Sequence, residues 1–172
     1  MGGFNLIFST SRFREEEAQD EILELLDMFG DQDAEAEITE VKGLLVAQTA
    51  LDPFAVVEEL KELVASEPWQ VRYILRVLPI EVVVPTELHA IRQAAQGLVT
   101  KIGRDSFRIT VEKRHSSLES IEVIKAVAGE IESKVDLENP GWIILVEVVG
   151  SQTGVSVIQP EQMFSSVVEK RR

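Results

Sequence analysis

Seven consecutive residues, Ile143–Val149 (IILVEVV), carry a single polar side chain, Glu147. A strand that is apolar on both faces must be covered on both faces, which marks it as a central strand of a layered α/β sheet. Its neighbours complete a unit, Ser106–Gln159. Phe107, Ile109 and Val111 alternate with Arg108, Thr110 and Glu112, as strand side chains do when they point to opposite faces. Ser116-x-x-Glu119 is a capping box at the start of a helix, with an apolar stripe of Leu118, Ile121, Ile124, Ala128, Ile131 and Val135. Asn139-Pro140-Gly141 turns the chain into the central strand. Gly150–Gly154 then makes a tight connection to a last strand, Val155–Gln159, which Pro160 stops. A helix from Leu88 to Ile102 precedes the unit, its face set by Leu88, Ile91, Ala95, Leu98 and Ile102 and its end by Gly103.

The first half of the chain carries a different pattern. Phe4–Thr10 reads as a strand and Arg14–Phe29 as an amphipathic helix built on Ala18, Ile22, Leu25, Leu26 and Phe29. Ala36–Val41 and Leu44–Ala50, separated by Lys42-Gly43, read as a hairpin or as two neighbouring strands. Asp52 followed by Pro53 is an N-cap with proline at the first helical position, opening a helix that runs to Ser66. Tyr73–Leu78 and Glu81–Val84 are β-rich and broken by Pro79. The order β-α-β-β-α-β over residues 4–84 is that of a ferredoxin-like domain. The sequence therefore divides into a ferredoxin-like domain at 1–84 and a second α/β domain at 85–172. With 172 residues and 45% apolar composition, two small cores are affordable in surface-to-volume terms.

Charge separates the halves further. Residues 1–84 hold 6 Lys/Arg against 18 Asp/Glu, whereas residues 85–172 hold 11 against 12, within a net charge of −13. A nucleic-acid partner needs positive potential, so only the second half can supply it. There Lys101, Arg104, Arg108, Lys113, Arg114 and His115 fall within fifteen residues, the last three running towards a helix N-terminus, where anions are favoured.

Catalytic patterns are missing from the sequence. The only histidines are His89 and His115, and neighbours such as His115 and Ser116 on one loop seldom reach the geometry of a nucleophile and its base. Gly150–Gly154 lacks the lysine of a phosphate-binding loop. With no Cys, no His-x-x-x-His pair and no EF-hand loop, neither a metal nor another cofactor is expected. The longest apolar runs are far short of the roughly 20 residues of a membrane helix, and the N-terminus has no basic region ahead of its short apolar run. A cytoplasmic protein without membrane contact is expected.

Several motifs of the second half together resemble the THUMP domain, over residues 85–168. They are Lys113-Arg114 after the strand, Lys134-Val135-Asp136-Leu137 with Asn139-Pro140, Leu145-Val146-Glu147-Val148, and Gly154-Val155-Ser156-Val157. The likeness is greatest to the THUMP proteins that serve as tRNA-binding adaptors of RNA cytidine acetyltransferase. It implies a non-catalytic protein that binds tRNA through acceptor-stem and 3′-end contacts and presents it to a separate cytidine acetyltransferase, for acetylcytidine formation in the D-arm. Other THUMP proteins carry a methyltransferase, thiouridine synthetase or deaminase domain, for which 172 residues leave no room. On this reading Lys101, Arg104, Arg108, Lys113, Arg114 and His115 contact RNA, and Gly154 permits a close backbone turn. Two other readings fit the residues: a ferredoxin-like module that senses a small molecule, and the RNA-binding subunit of another split tRNA-modification enzyme.

Overall fold

The computed structural model describes residues 3–129 and 131–172. The chain forms two compact units, one built from the residues up to Ile80 together with Glu161–Arg172, the other from Glu81–Pro160.

In the first unit, strands β1 (Leu6–Ser9), β2 (Glu35–Ile38), β3 (Leu44–Gln48) and β4 (Arg76–Pro79) lie in the order β2-β3-β1-β4, all antiparallel to their neighbours. Helix α1 (Glu15–Met28) joins β1 to β2, and helix α2 (Pro53–Ser66) joins β3 to β4. This is the ferredoxin-like arrangement expected from the element order. Alternation explains the core. Leu6 and Phe8 of β1, with Leu45 and Ala47 of β3, face Ile22 and Leu26 of α1 and Val57 and Leu60 of α2, all at 2% exposure or less. Asp52 caps α2 as its sequence position requires, its Oδ1 accepting from the Phe54 amide at 3.0 Å.

The last twelve residues belong to this unit, a correction to the division at residue 84. Strand β9 (Phe164–Ser165) pairs antiparallel with β4, and Phe164 is completely buried in the first core. Helix α5 (Ser166–Glu169) follows, and Lys170 Nζ donates to the Val71 carbonyl at 2.6 Å. A two-residue strand has no periodicity to read, so only its partner β4 reveals it. The break at Pro79 is likewise a change of sheet, because β5 (Val82–Pro85) belongs to the second unit.

The second unit is a four-stranded sheet in the order β5-β8-β7-β6, with β6 (Phe107–Arg114), β7 (Trp142–Val149) and β8 (Gln152–Ile158). Strands β6 and β7 are parallel, and the other pairs antiparallel. Helices α3 (Leu88–Leu98) and α4 (Ser120–Ala128) supply Ile91, Ala95, Val123 and Val127 to a core shared with Ile144, Val146, Val148, Val155 and Val157. Every residue of β7 from Ile143 to Val148 is buried, as its composition requires. The expected long helix from Ser116 to Val135 is corrected to a short one. Gly129 follows its last turn, its buried face is Val123 and Val127, and Ile121 is half exposed. Val135 instead forms a parallel bridge with Phe107, whose N–H donates to the Lys134 carbonyl at 3.0 Å. The 3.6-residue spacing of Leu118, Ile121 and Ile124 competed with a better stripe one step away, and the extended segment has too few residues to announce itself.

Candidate nucleic-acid interface

Strand β6 determines where the basic residues lie. Arg108, Thr110, Glu112 and Arg114 share the face turned away from α3 and α4, while Phe107, Ile109 and Val111 face the helices. At roughly 3.3 Å per residue, Arg108 and Arg114 are separated by about 20 Å along the strand. The candidate residues therefore fall into two groups at opposite ends of the sheet.

Lys101, Arg104 and Arg108 lie at the end where β6 begins. Lys101 follows α3 in a short 3₁₀ turn, and its Nζ reaches Glu81 Oε1 at 2.6 Å and the Val157 carbonyl at 3.1 Å. The same Glu81 oxygen accepts from the Val157 amide at 3.0 Å, so Lys101 ties the approach to β5 onto β8. Arg108 Nη1 donates to the Leu137 carbonyl at 3.1 Å and holds the 136–141 loop against the strand. Asp136 organises that loop by accepting from the Glu138 and Asn139 amides at 3.2 and 3.0 Å. Arg104 stands exposed in the turn after Gly103. Two of these three cations are thus engaged in holding the fold.

Lys113, Arg114 and His115 lie at the other end. Lys113 falls beyond the core on the helix-facing side of the strand and is exposed. Arg114 turns to the opposite face, where its Nη2 meets Glu147 Oε1 at 3.2 Å. Glu147 is 1% exposed, and Gly154 lies directly opposite it on β8. Gly154 therefore sits within a paired, buried strand and not in the tight turn expected of it; the turn is Gly150-Ser151, with Gly150 at φ 61°. Opposed residues share a face, so Gly154 presents no side chain beside the Glu147 carboxylate. The Arg114 carbonyl accepts from the Gly150 amide at 2.9 Å, which brings this end of β6 to the β7–β8 turn. His115 is exposed and takes a left-handed conformation, φ 54°, which turns the chain out of the strand.

The helix N-terminus expected beside this run stands further on. Helix α4 begins at Ser120 with no side-chain cap, and Ser116 Oγ accepts from the Leu118 amide at 3.2 Å, closing a local turn in place of the capping box. Five residues, His115–Glu119, separate the strand from the helix. Glu147 is the residue that reading the sequence missed as a site partner. A lone carboxylate inside IILVEVV was the signal, because a buried charge demands a counter-charge.

Among the described residues no group of three or more His, Cys, Asp or Glu could hold a metal ion. No described helix is long and apolar enough to cross a membrane. What this end of the sheet offers is two exposed basic side chains, Lys113 and His115, beside a half-buried guanidinium fixed by Glu147. Such an array suits phosphate contact, in which pre-placed cations displace counterions.

The family model described as "THUMP domain" matches residues 85–158. THUMP domain-containing protein 1 of Bos taurus is 28% identical over 115 residues, covering 61% of this chain and 32% of that protein. The chain thus spans about one third of the curated relatives it matches. Among solved structures, PH1313 from Pyrococcus horikoshii superposes with a TM-score of 0.68 at 17% identity, covering 95% of this chain and 55% of that one. A 4-thiouridine synthetase crystallised as an RNA complex with bound ATP gives a TM-score of 0.53 at 12% identity, over 91% of this chain and 42% of that one. At these identities the two structures establish the fold alone. The family match identifies residues 85–158 as a THUMP domain, a module associated with RNA binding in tRNA-modification enzymes.

Proposed function

We propose that this chain is a cytoplasmic, non-catalytic tRNA-binding adaptor, which presents tRNA to a separate RNA cytidine acetyltransferase for acetylcytidine formation in the D-arm. The observation that carries this reading is a THUMP domain whose β6 end sets exposed Lys113 and His115 beside the Glu147-anchored Arg114. The fold shared with the 4-thiouridine synthetase of the RNA complex supports it. Charge distribution supports it as well. The THUMP-bearing unit, Glu81–Pro160, holds 8 Lys/Arg against 11 Asp/Glu, whereas the remainder holds 9 against 19, so phosphates are repelled least where the basic end lies. Lys113, Arg114 and His115 contact backbone phosphates and set the register of the tRNA; Arg104 and Arg108 at the far end extend the track. Binding to two sites about 20 Å apart would orient a folded RNA as well as hold it.

The test is an acetylation assay with tRNA, acetyl-CoA, ATP and the candidate acetyltransferase, run with and without this chain. The reading predicts D-arm acetylcytidine that rises with the concentration of the chain and falls on Lys113→Ala. Equal acetylation in its absence would overturn the adaptor role.

A further inference from the structure

A groove in the first unit lies between α1 and the 3₁₀ turn Pro68–Gln70, with a volume of about 310 Å³. Its floor and rim hold Leu25, Met28, Trp69 and Tyr73, of which Met28 is 55% and Trp69 65% exposed. Single exposed apolar residues are ordinary, but two large ones lining one groove mark an interaction surface. The turn that presents Trp69 is closed by the Gln70 amide donating to the Glu67 carbonyl at 3.0 Å, and the segment after it is tied to α1. Glu21 of α1 is buried and accepts from the Arg72, Tyr73 and Ile74 amides at 2.9–3.2 Å. The backbone wall beside the indole is therefore ordered before binding.

Charge says what fits there. Asp20 and Glu24 stand exposed on the same wall, four residues apart on α1, where like charges repel. Glu17 is paired with Arg14 at 2.9 Å, and Arg72 lies over the Tyr73 ring at 5.5 Å. That leaves Asp20 and Glu24 lining the same groove as an exposed indole. A cation placed between them would relieve their repulsion and rest on the Trp69 face. Nucleic acid would bring phosphate to this carboxylate wall and is disfavoured.

We infer that this groove is a docking site for a basic, arginine-bearing peptide segment of a partner protein. The guanidinium stacks on Trp69 between Asp20 and Glu24, and an apolar neighbour of the arginine packs on Met28. This interaction is separate from the RNA reading and stands or falls without it.

The test uses the full chain and a dye-labelled hexa-arginine peptide at moderate salt, read by anisotropy and by tryptophan fluorescence. The inference predicts saturable one-to-one binding, weakened about tenfold or more by Trp69→Ala and by Asp20→Lys with Glu24→Lys. The control is Glu112→Lys with Glu138→Lys, exposed in the second unit, which makes the same change in net charge and should weaken binding by less than about threefold. Equal loss in the two charge-reversed variants would show a general attraction to an acidic protein and overturn the site. Failure to saturate, or unchanged binding by Trp69→Ala, would do the same. Self-association abolished by the groove substitutions would overturn it in favour of a second copy of the chain. Thermal melts matching the parent protein's confirm that each variant is folded.

Discussion

Arg114 at the end of β6 and Glu147 in the middle of β7 form an ion pair, Nη2 to Oε1 at 3.2 Å, with the carboxylate 1% and the guanidinium side chain 21% exposed. Removing one member of such a pair strands the other's charge in a poorly solvated place. Glu147→Gln should cost about 2–3 kcal/mol, less than the roughly 3–5 kcal/mol of fully buried pairs because Arg114 keeps some contact with water. Arg114→Met combined with Glu147→Leu should be less damaging than the sum of the single changes. Urea denaturation of the parent, Glu147→Gln, Arg114→Met, Glu147→Leu and the double variant measures both; additive losses would contradict the pairing.

The neighbouring cation behaves differently. Lys113 is exposed and turned to the other side of the strand, so Lys113→Ala should alter stability by no more than about 0.5 kcal/mol. Arg114→Ala should lower it by about 2 kcal/mol by removing the guanidinium that pairs with the buried Glu147 carboxylate. Thermal melts of the two variants, compared at one pH, check the difference.

Asp31 carries an acid-sensitive part of the first unit's stability. Its carboxylate accepts from Thr49 Oγ1 at 2.5 Å and from the Ala50 and Asp33 amides at 2.8 and 3.1 Å. The Thr49 hydroxyl first, then the Ala50 amide, hold its pKa below the usual carboxylate value. A depressed folded-state pKa gives stabilisation that is complete above the unfolded value, about 3.9, and lost as pH falls below it. Asp31→Asn should therefore be destabilised by about 1 kcal/mol at pH 7, and the deficit should shrink below about pH 4. A deficit that stays constant down to pH 2 would contradict this account.

Gly43 is fixed by sterics. It has φ 77°, and a Cβ built there would lie 2.8 Å from the Thr10 carbonyl oxygen. That oxygen belongs to the backbone and cannot swing aside. Gly43→Ala should cost about 1–3 kcal/mol, read from the shift in denaturation midpoint.

Periodicity made most of the fold legible in the sequence. Ala18, Ile22, Leu25 and Leu26 marked the α1 stripe, Asp52-Pro53 marked the start of α2, and the run at Ile143 marked the central strand. The features that stayed hidden depend on contacts distant in sequence. Phe164 is a core residue of the first unit only because β9 finds β4, nearly ninety positions earlier. The candidate site was legible as a list of cations but not as an arrangement. Lys101, Arg108 and Arg114 look alike in sequence, yet their partners Glu81, the Leu137 carbonyl and Glu147 lie 20, 29 and 33 positions away. Those partners separate cations that hold the fold from cations that face solvent.

The central claim is that the basic end of β6 holds tRNA through phosphates. Its most direct test is the tRNA affinity of the full chain, measured from about 50 to 200 mM salt for the parent protein and Lys113→Ala. The account predicts a linear fall of log affinity with log salt, with a slope smaller by about 0.7–0.9 in Lys113→Ala. Affinity and slope unchanged by the substitution would contradict it.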